Sequence, residues 1–136
     1  MFNKTILMLS SLALMVSGKA TTLAKIDLTS IDPLAVCNDG TPAVYYWKTS
    51  SNPTNKWLVF LNGGDQCYSK LSCQARRKFL FDLTSSKNYG STRDIGGVFD
   101  DSTAISPLAD ANKAFVMYCS SDGHMGDQEA TDDVPF

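Results

Sequence analysis

The sequence predicts the opening of an open α/β sheet, on three observations. Two short, continuous apolar runs, Trp57-Leu58-Val59-Phe60-Leu61 and Ala114-Phe115-Val116-Met117-Tyr118, have the length and the aromatic and branched content of buried strands. Each stops at a polar turn, Asn62-Gly63-Gly64-Asp65-Gln66-Cys67 after the first and Cys119-Ser120-Ser121-Asp122-Gly123-His124 after the second. Between them Leu71, Ala75, Phe79 and Leu83 recur at the four-residue spacing of an amphipathic helix. Runs without alternation belong to strands covered on both faces, as in parallel sheets. In such sheets function gathers beyond the carboxyl ends of the strands, where both turns lie.

Taken in order, residues 1–20 read as a secretory signal peptide. Lys4 gives a positive start, Ile6 to Val16 is mostly apolar, and Val16-Ser17-Gly18 or Gly18-Lys19-Ala20 offers a small-residue cleavage site. The run is shorter than the ~20 apolar residues that a spanning helix needs. Thr22 to Leu28 alternates in part and suits a first strand. Cys37-Asn38-Asp39-Gly40-Thr41-Pro42 is dense in turn formers. Ala43 to Lys48 is rich in strand formers, and the polar stretch Thr49 to Asn55 joins it to the run Trp57–Leu61, predicting a hairpin. Ser69 or Ser72 can cap the helix, which then runs to about Leu83. Ser85 to Ala111 has little periodicity and predicts surface loops with short pieces of structure. The domain organisation expected is a leader, 1–20, and one portion of a domain, 21–136.

Without residues 1–20 the chain keeps ten basic residues against fourteen acidic, a net charge of −4. That excludes the usual electrostatics of nucleic-acid or anionic-membrane binding. The basic cluster Arg76-Arg77-Lys78 reads as a solvated helix face. Four cysteines, Cys37, Cys67, Cys73 and Cys119, predict two disulfides in a secreted chain, with three pairings possible. Cys67 and Cys73 are close enough to staple the glycine turn to the helix, which would leave Cys37 with Cys119. A zinc site has little support, because no Cys-x-x-Cys occurs and His124 is the single histidine. Asp127, Glu129, Asp132 and Asp133 lack the spacing of a calcium loop and read as a solvated tail. No metal or cofactor is expected. Ser121, Asp122 and His124 imitate a triad, but immediate neighbours seldom converge as a nucleophile, base and acid must.

A double glycine between a strand and a helix lets backbone N–H groups face a negatively charged oxygen. In α/β-hydrolases such a loop supplies one side of the oxyanion hole. Cys37-Asn38-Asp39-Gly40-Thr41-Pro42-Ala43 with Tyr45-Tyr46, the block Trp57 to Gly64 with Cys67 and Cys73, and Tyr118-Cys119-Ser120-Ser121-Asp122 together resemble the pectin acetylesterase and Notum family of secreted carboxylesterases. The resemblance spans roughly residues 26–127. It implies the N-terminal part of an α/β-hydrolase-like sheet, left incomplete, and a metal-free Ser-His-Asp mechanism that removes acyl groups from a polysaccharide or a protein. It implies backbone donation to the oxyanion from Gly64 and Asp65. It implies the disulfides Cys67–Cys73 and Cys37–Cys119.

The sequence departs from the family at Asn62, where glutamate is usual, and at Asp65, where an aromatic residue or glycine is usual. A carboxylate at 65 opposes charge developing beside it unless it turns away, which weighs against a long acyl substrate. No Gly-x-Ser-x-Gly elbow occurs, and no catalytic serine, acid or base is assigned. The chain as given is therefore expected to be an enzyme fragment without turnover. The alternative from another class is a non-catalytic, secreted, disulfide-stapled binding protein.

Overall fold

The computed structural model describes residues 18–126. The leader up to residue 17 and the acidic group from Asp127 onward lie outside the described residues. Five strands form one mixed sheet: β1 Thr21–Asp27, β2 Val44–Lys48, β3 Trp57–Leu61, β4 Thr92–Ile95 and β5 Asn112–Val116. Among the described residues one α-helix, α1, spans Lys70–Phe79. The strand order is β3-β5-β2-β1-β4. β1 pairs antiparallel with both β2 and β4, and β2 pairs antiparallel with β5. β3 and β5 run parallel, Phe60 opposite Phe115.

The expected hairpin between β2 and β3 does not form, because β5 lies between them. Asn112, at the start of β5, holds the link from β2 to β3 across the sheet. Its side-chain oxygen accepts from Ser50 N–H at 3.0 Å, and its own N–H donates to the Lys56 carbonyl at 3.0 Å. The polar stretch thus crosses the end of a strand instead of turning tightly back.

The core lies on one face, formed by Leu23, Val44, Tyr46, Phe99, Phe115 and Met117. Phe99 comes from a single 3-10 turn, Gly97–Phe99, folded onto the sheet. Phe60 stacks on Phe115 with ring centroids 5.2 Å apart, which fixes the side of β3 that faces the core. β3 itself was expected to be buried, and this is corrected: Trp57, Val59 and Leu61 are each more than half exposed. The cause is position. β3 ends the sheet, and nothing among the described residues covers its far face or its free edge.

Ser69 caps α1, and Ser72 returns the bond in a reciprocal capping box. The helix ends at Phe79, short of the expected Leu83, where Leu80 leaves helical geometry and a 3-10 turn, Phe81–Leu83, follows. Its buried residues are Cys73 and Arg76, whereas Leu71 and Phe79 are exposed. The Cys67–Cys73 bridge sets this rotation, because it pulls the Cys73 face inward.

The turn before β2 is welded to the end of β5. Cys37 is bonded to Cys119, Asn38 N–H donates to the Cys119 carbonyl at 3.0 Å, and the Asn38 amide donates to the Ser120 carbonyl at 2.7 Å. Asp39 is buried beside it, its side chain 3% exposed, with Lys87 Nζ 3.3 Å away. Its carboxylate accepts from Thr41 Oγ1 at 2.6 Å. Burial alone would push this carboxyl up; hydrogen bonds from Thr41, Ser85 and Lys87 outweigh it and hold it at about 2 instead of 3.8. A depressed folded value means stability that is present above the ordinary value and lost as the pH falls from there through the folded one. Asp39→Asn is therefore expected to cost about 2 kcal/mol at neutral pH and almost nothing near pH ~2. Urea melts of both proteins at the two pH values check this; an equal difference at both would remove the charge from the explanation.

Candidate active site

Because β3 and β5 are parallel, their carboxyl ends point the same way and bring the two polar turns together. Cys67 N–H donates to the Ser121 carbonyl at 3.1 Å. His124 Nε2 donates to the Asn62 carbonyl at 2.9 Å. Between the turns lies a cleft of about 310 Å³, lined by Leu61 to Gln66 from one side and by Tyr118, Gly123 and His124 from the other.

Gly64 is bare backbone by necessity. A Cβ there would stand 2.9 Å from Leu83 Cδ2 and 3.0 Å from Tyr118 Cδ1. Asp65 follows in the left-handed region, φ 66°, which aspartate tolerates better than most residues. Among the described residues neither Gly64 N–H nor Asp65 N–H has an acceptor. The Asp65 carboxylate accepts Gln66 N–H at 2.8 Å, so it is folded onto its own loop at the exposed rim.

The wall opposite is Tyr118. Its hydroxyl accepts Gly123 N–H at 2.7 Å, and its ring lies 4.8 Å from the His124 ring. Behind it stands Arg76, with the guanidinium 5.5 Å from the Tyr118 centroid. Arg76 Nε donates to Ser121 Oγ at 2.8 Å, and Ser121 Oγ donates to Asn38 Oδ1 at 2.5 Å. The reading of Arg76 as part of a solvated face is thus corrected: it is 6% exposed, and its Nη2 has no partner among the described residues. The signal for this was its spacing. Arg76 sits three residues after Cys73, on the same helix face, so a bridged Cys73 carries it inward.

Ser121, Asp122 and His124 do not act as a unit. Ser121 is 3% exposed and its hydroxyl is held between Arg76 and Asn38. His124 Nε2 is engaged by Asn62. Asp122 accepts from Ser120 Oγ and from the N–H groups of His124 and Gly126. Burial pushes its carboxyl up, but these bonds outweigh it and hold it below the ordinary carboxylate value. Its work is to fold the turn. All four cysteines are in disulfides, which leaves none to bind zinc. Among the described residues the cleft holds no nucleophile joined to a base.

A mixed sheet with a glycine turn and a polar cleft at its carboxyl ends is the architecture of an α/β-hydrolase. The sheet superposes on the Wnt deacylase Notum from Drosophila with TM-score 0.74 at 32% identity, covering 83% of this chain and 32% of that one. The profile of the family described as pectinacetylesterase matches residues 19–134, and the chain belongs to that family. The palmitoleoyl-protein carboxylesterase NOTUM of Schmidtea mediterranea is 40% identical over 103 residues, 74% of this chain and 20% of that protein. The inactive palmitoleoyl-protein carboxylesterase notum1b of Danio rerio is 44% identical over 97 residues, 71% of this chain and 69% of that protein. The chain thus spans about a fifth of the planarian relative and over two thirds of the inactive one.

Proposed function

We infer that this chain supplies the oxyanion-loop half of a secreted carboxylic ester hydrolase that removes an acyl group from an acylated protein. The observation that carries this is the cleft bordered by the loop Asn62–Gln66, whose Gly64 and Asp65 N–H groups have no acceptor among the described residues. Gly64 and Asp65 are the donors. They stabilise the oxygen that becomes negative when the ester carbonyl is attacked, and that preorganisation is the largest part of such catalysis. Relatives named as a palmitoleoyl-protein carboxylesterase and a Wnt deacylase favour a protein substrate over an acylated polysaccharide. The leader pattern in residues 1–20 and the two disulfides support secretion. Residues 21–136 form the N-terminal portion of the α/β-hydrolase-like domain. The serine, its base and the base's acid come from outside the described residues.

A second reading is favoured by one observation, the long match to the inactive notum1b. It makes the chain a non-catalytic, disulfide-stapled binding protein on the same scaffold. One experiment addresses both. The product secreted from the 136-residue chain is expected to hydrolyse p-nitrophenyl acetate and a palmitoleoylated peptide no faster than buffer. The product of any reading frame that continues into Gly-x-Ser-x-Gly, with an acid and a histidine beyond, is expected to turn both over. Activity of the short chain that disappears in Ser121→Ala would overturn the assignment of the nucleophile. An inactive longer product, or full-length transcripts that stop at Phe136, would decide for the binding protein.

A further inference from the structure

Asp100 is 2% exposed, and only half of its carboxylate is satisfied. Oδ1 accepts Ser102 N–H at 2.7 Å, while Oδ2 is buried without a partner among the described residues. A lone buried carboxylate oxygen is costly, and native structures pair such groups. Its neighbour Asp101 shows the contrast, since that carboxylate is held by both Lys48 and Lys113. What lies against Asp100 Oδ2 is Gly18: a Cβ built on that glycine would be 2.9 Å from Oδ2 and 3.0 Å from the Ile105 Cδ1 that closes the other side. Residues 18–20 are exposed and precede β1 without regular structure.

We propose that the leader is cut between Gly18 and Lys19, and that the new α-ammonium of Lys19 pairs with the buried carboxylate of Asp100. The inference rests on the secreted reading above and goes beyond it by naming the bond cut and the group that receives the new terminus. Val16-Ser17-Gly18 is one of the two small-residue sites in the leader. Cutting there removes the glycine that lies against Oδ2 and turns the nitrogen bonded to it, that of Lys19, into a cation. The alternative cut, after Ala20, would put the ammonium on Thr21, which is 3% exposed and paired opposite Ile95. The carboxylate beside that end, Asp94, is already engaged by the Thr22 hydroxyl at 2.5 Å.

The step balances as an amide hydrolysis. Under a leader peptidase, water adds its oxygen to the Gly18 carbonyl carbon and the C–N bond breaks. Gly18 departs as a carboxylate, and the Lys19 nitrogen takes up protons to become an ammonium. The result is a charge-assisted pair, with Asp100 Oδ2 as the acceptor and the new terminus as the donor. It fastens the entrance of β1 to the loop that follows the turn carrying Phe99. The other charged groups at this end are Asp94, engaged by the Thr22 hydroxyl, Asp101, held by its two lysines, and the Lys19 side chain itself.

The test uses the full chain secreted from cultured cells. Intact mass and N-terminal sequencing are expected to show Lys19 first. Titration of the ¹³C-methylated α-amino group by NMR is expected to place its pKa about one unit or more above the ordinary ~7.7–8.0. Asp100→Asn is expected to return it to that range. Insertion of two residues between Gly18 and Lys19 is expected to lower Tm as much as Asp100→Asn does, with no further loss when the two changes are combined. A mature chain that starts at Thr21, or an α-amino group in the ordinary range and unmoved by Asp100→Asn, would overturn the proposal and leave secretion standing. A product that keeps its leader inside the cell would overturn both. If Asp100→Asn is not secreted, the unsubstituted chain's titration decides by itself.

Discussion

Replacing Cys37 and Cys119 together by alanine is expected to lower the unfolding free energy by about 4.5 kcal/mol. This bridge joins residues 82 apart in sequence, so its loss returns a large loop-closure entropy to the unfolded chain. The Cys67–Cys73 bridge has a separation of 6, and the same argument gives it only about 2 kcal/mol. The long bridge also has local partners, since Asn38 hydrogen-bonds to Cys119 and Ser120 on the same seam. Its loss loosens the segment that carries Tyr118, the wall of the cleft. Small domains have about 5–15 kcal/mol in all, so the long-bridge variant is expected to lose roughly a third or more of the fold's stability. Urea midpoints for the oxidised protein and the two paired-alanine variants measure this. Equal losses from both bridges would sink the loop-entropy account.

Asp101→Ala is expected to cost about 3 kcal/mol, because it strands a buried cation. Lys113 is 1% exposed; its Nζ donates to the Asp101 carboxylate and, at 3.0 Å, to the Ala109 carbonyl. Lys48, across the β2–β5 pair, donates to the same carboxylate. The asymmetry of the pair makes the test sharp. Asp101 is 47% exposed, so Lys113→Met leaves a carboxylate that water and Lys48 still satisfy. That change is expected to cost about 1 kcal/mol or less. Burial pushes the Asp101 carboxyl up, but its bonds from Lys113 and Lys48 outweigh this and hold it below the ordinary value. Its contribution is therefore present at neutral pH and is lost as the pH falls from the ordinary carboxylate value through the lowered one. Thermal melts of Asp101→Ala and Lys113→Met at neutral pH compare the two. A larger loss from Lys113→Met would mean that the lysine stem, not the ion pair, carries the stability.

Much of the local structure was legible in the residues. The runs at 57–61 and 114–118 mark the two parallel strands because short, branched, aromatic stretches of this kind suit strands. Ser69 and Ser72 mark the start of α1 because a hydroxyl must take the orphaned N–H groups there. The two glycines mark the loop that forms one side of the cleft, since Gly64 has no room for a Cβ. Arg76 was legible as a buried residue only through its spacing from a bridged Cys73. Its charge argues for solvent, and only the bridge from Cys73 and the Ser121 hydroxyl make burial tolerable.

What the sequence determined by itself is local: where strands, turns and the helix begin, and which turn exposes its backbone. These follow from side-chain shape and from the hydrogen bonds of near neighbours. What only the tertiary structure decided is which distant segments meet. Composition left three cysteine pairings open; the fold brings Cys37 and Cys119 to a Cα separation of 4.9 Å. Adjacency in sequence suggested that β2 pairs with β3; the sheet inserts β5 between them and leaves the far face of β3 bare. The physical reason is common to both. Strand pairing and disulfide choice depend on contacts between residues tens of positions apart, and no local propensity encodes which of several such contacts closes.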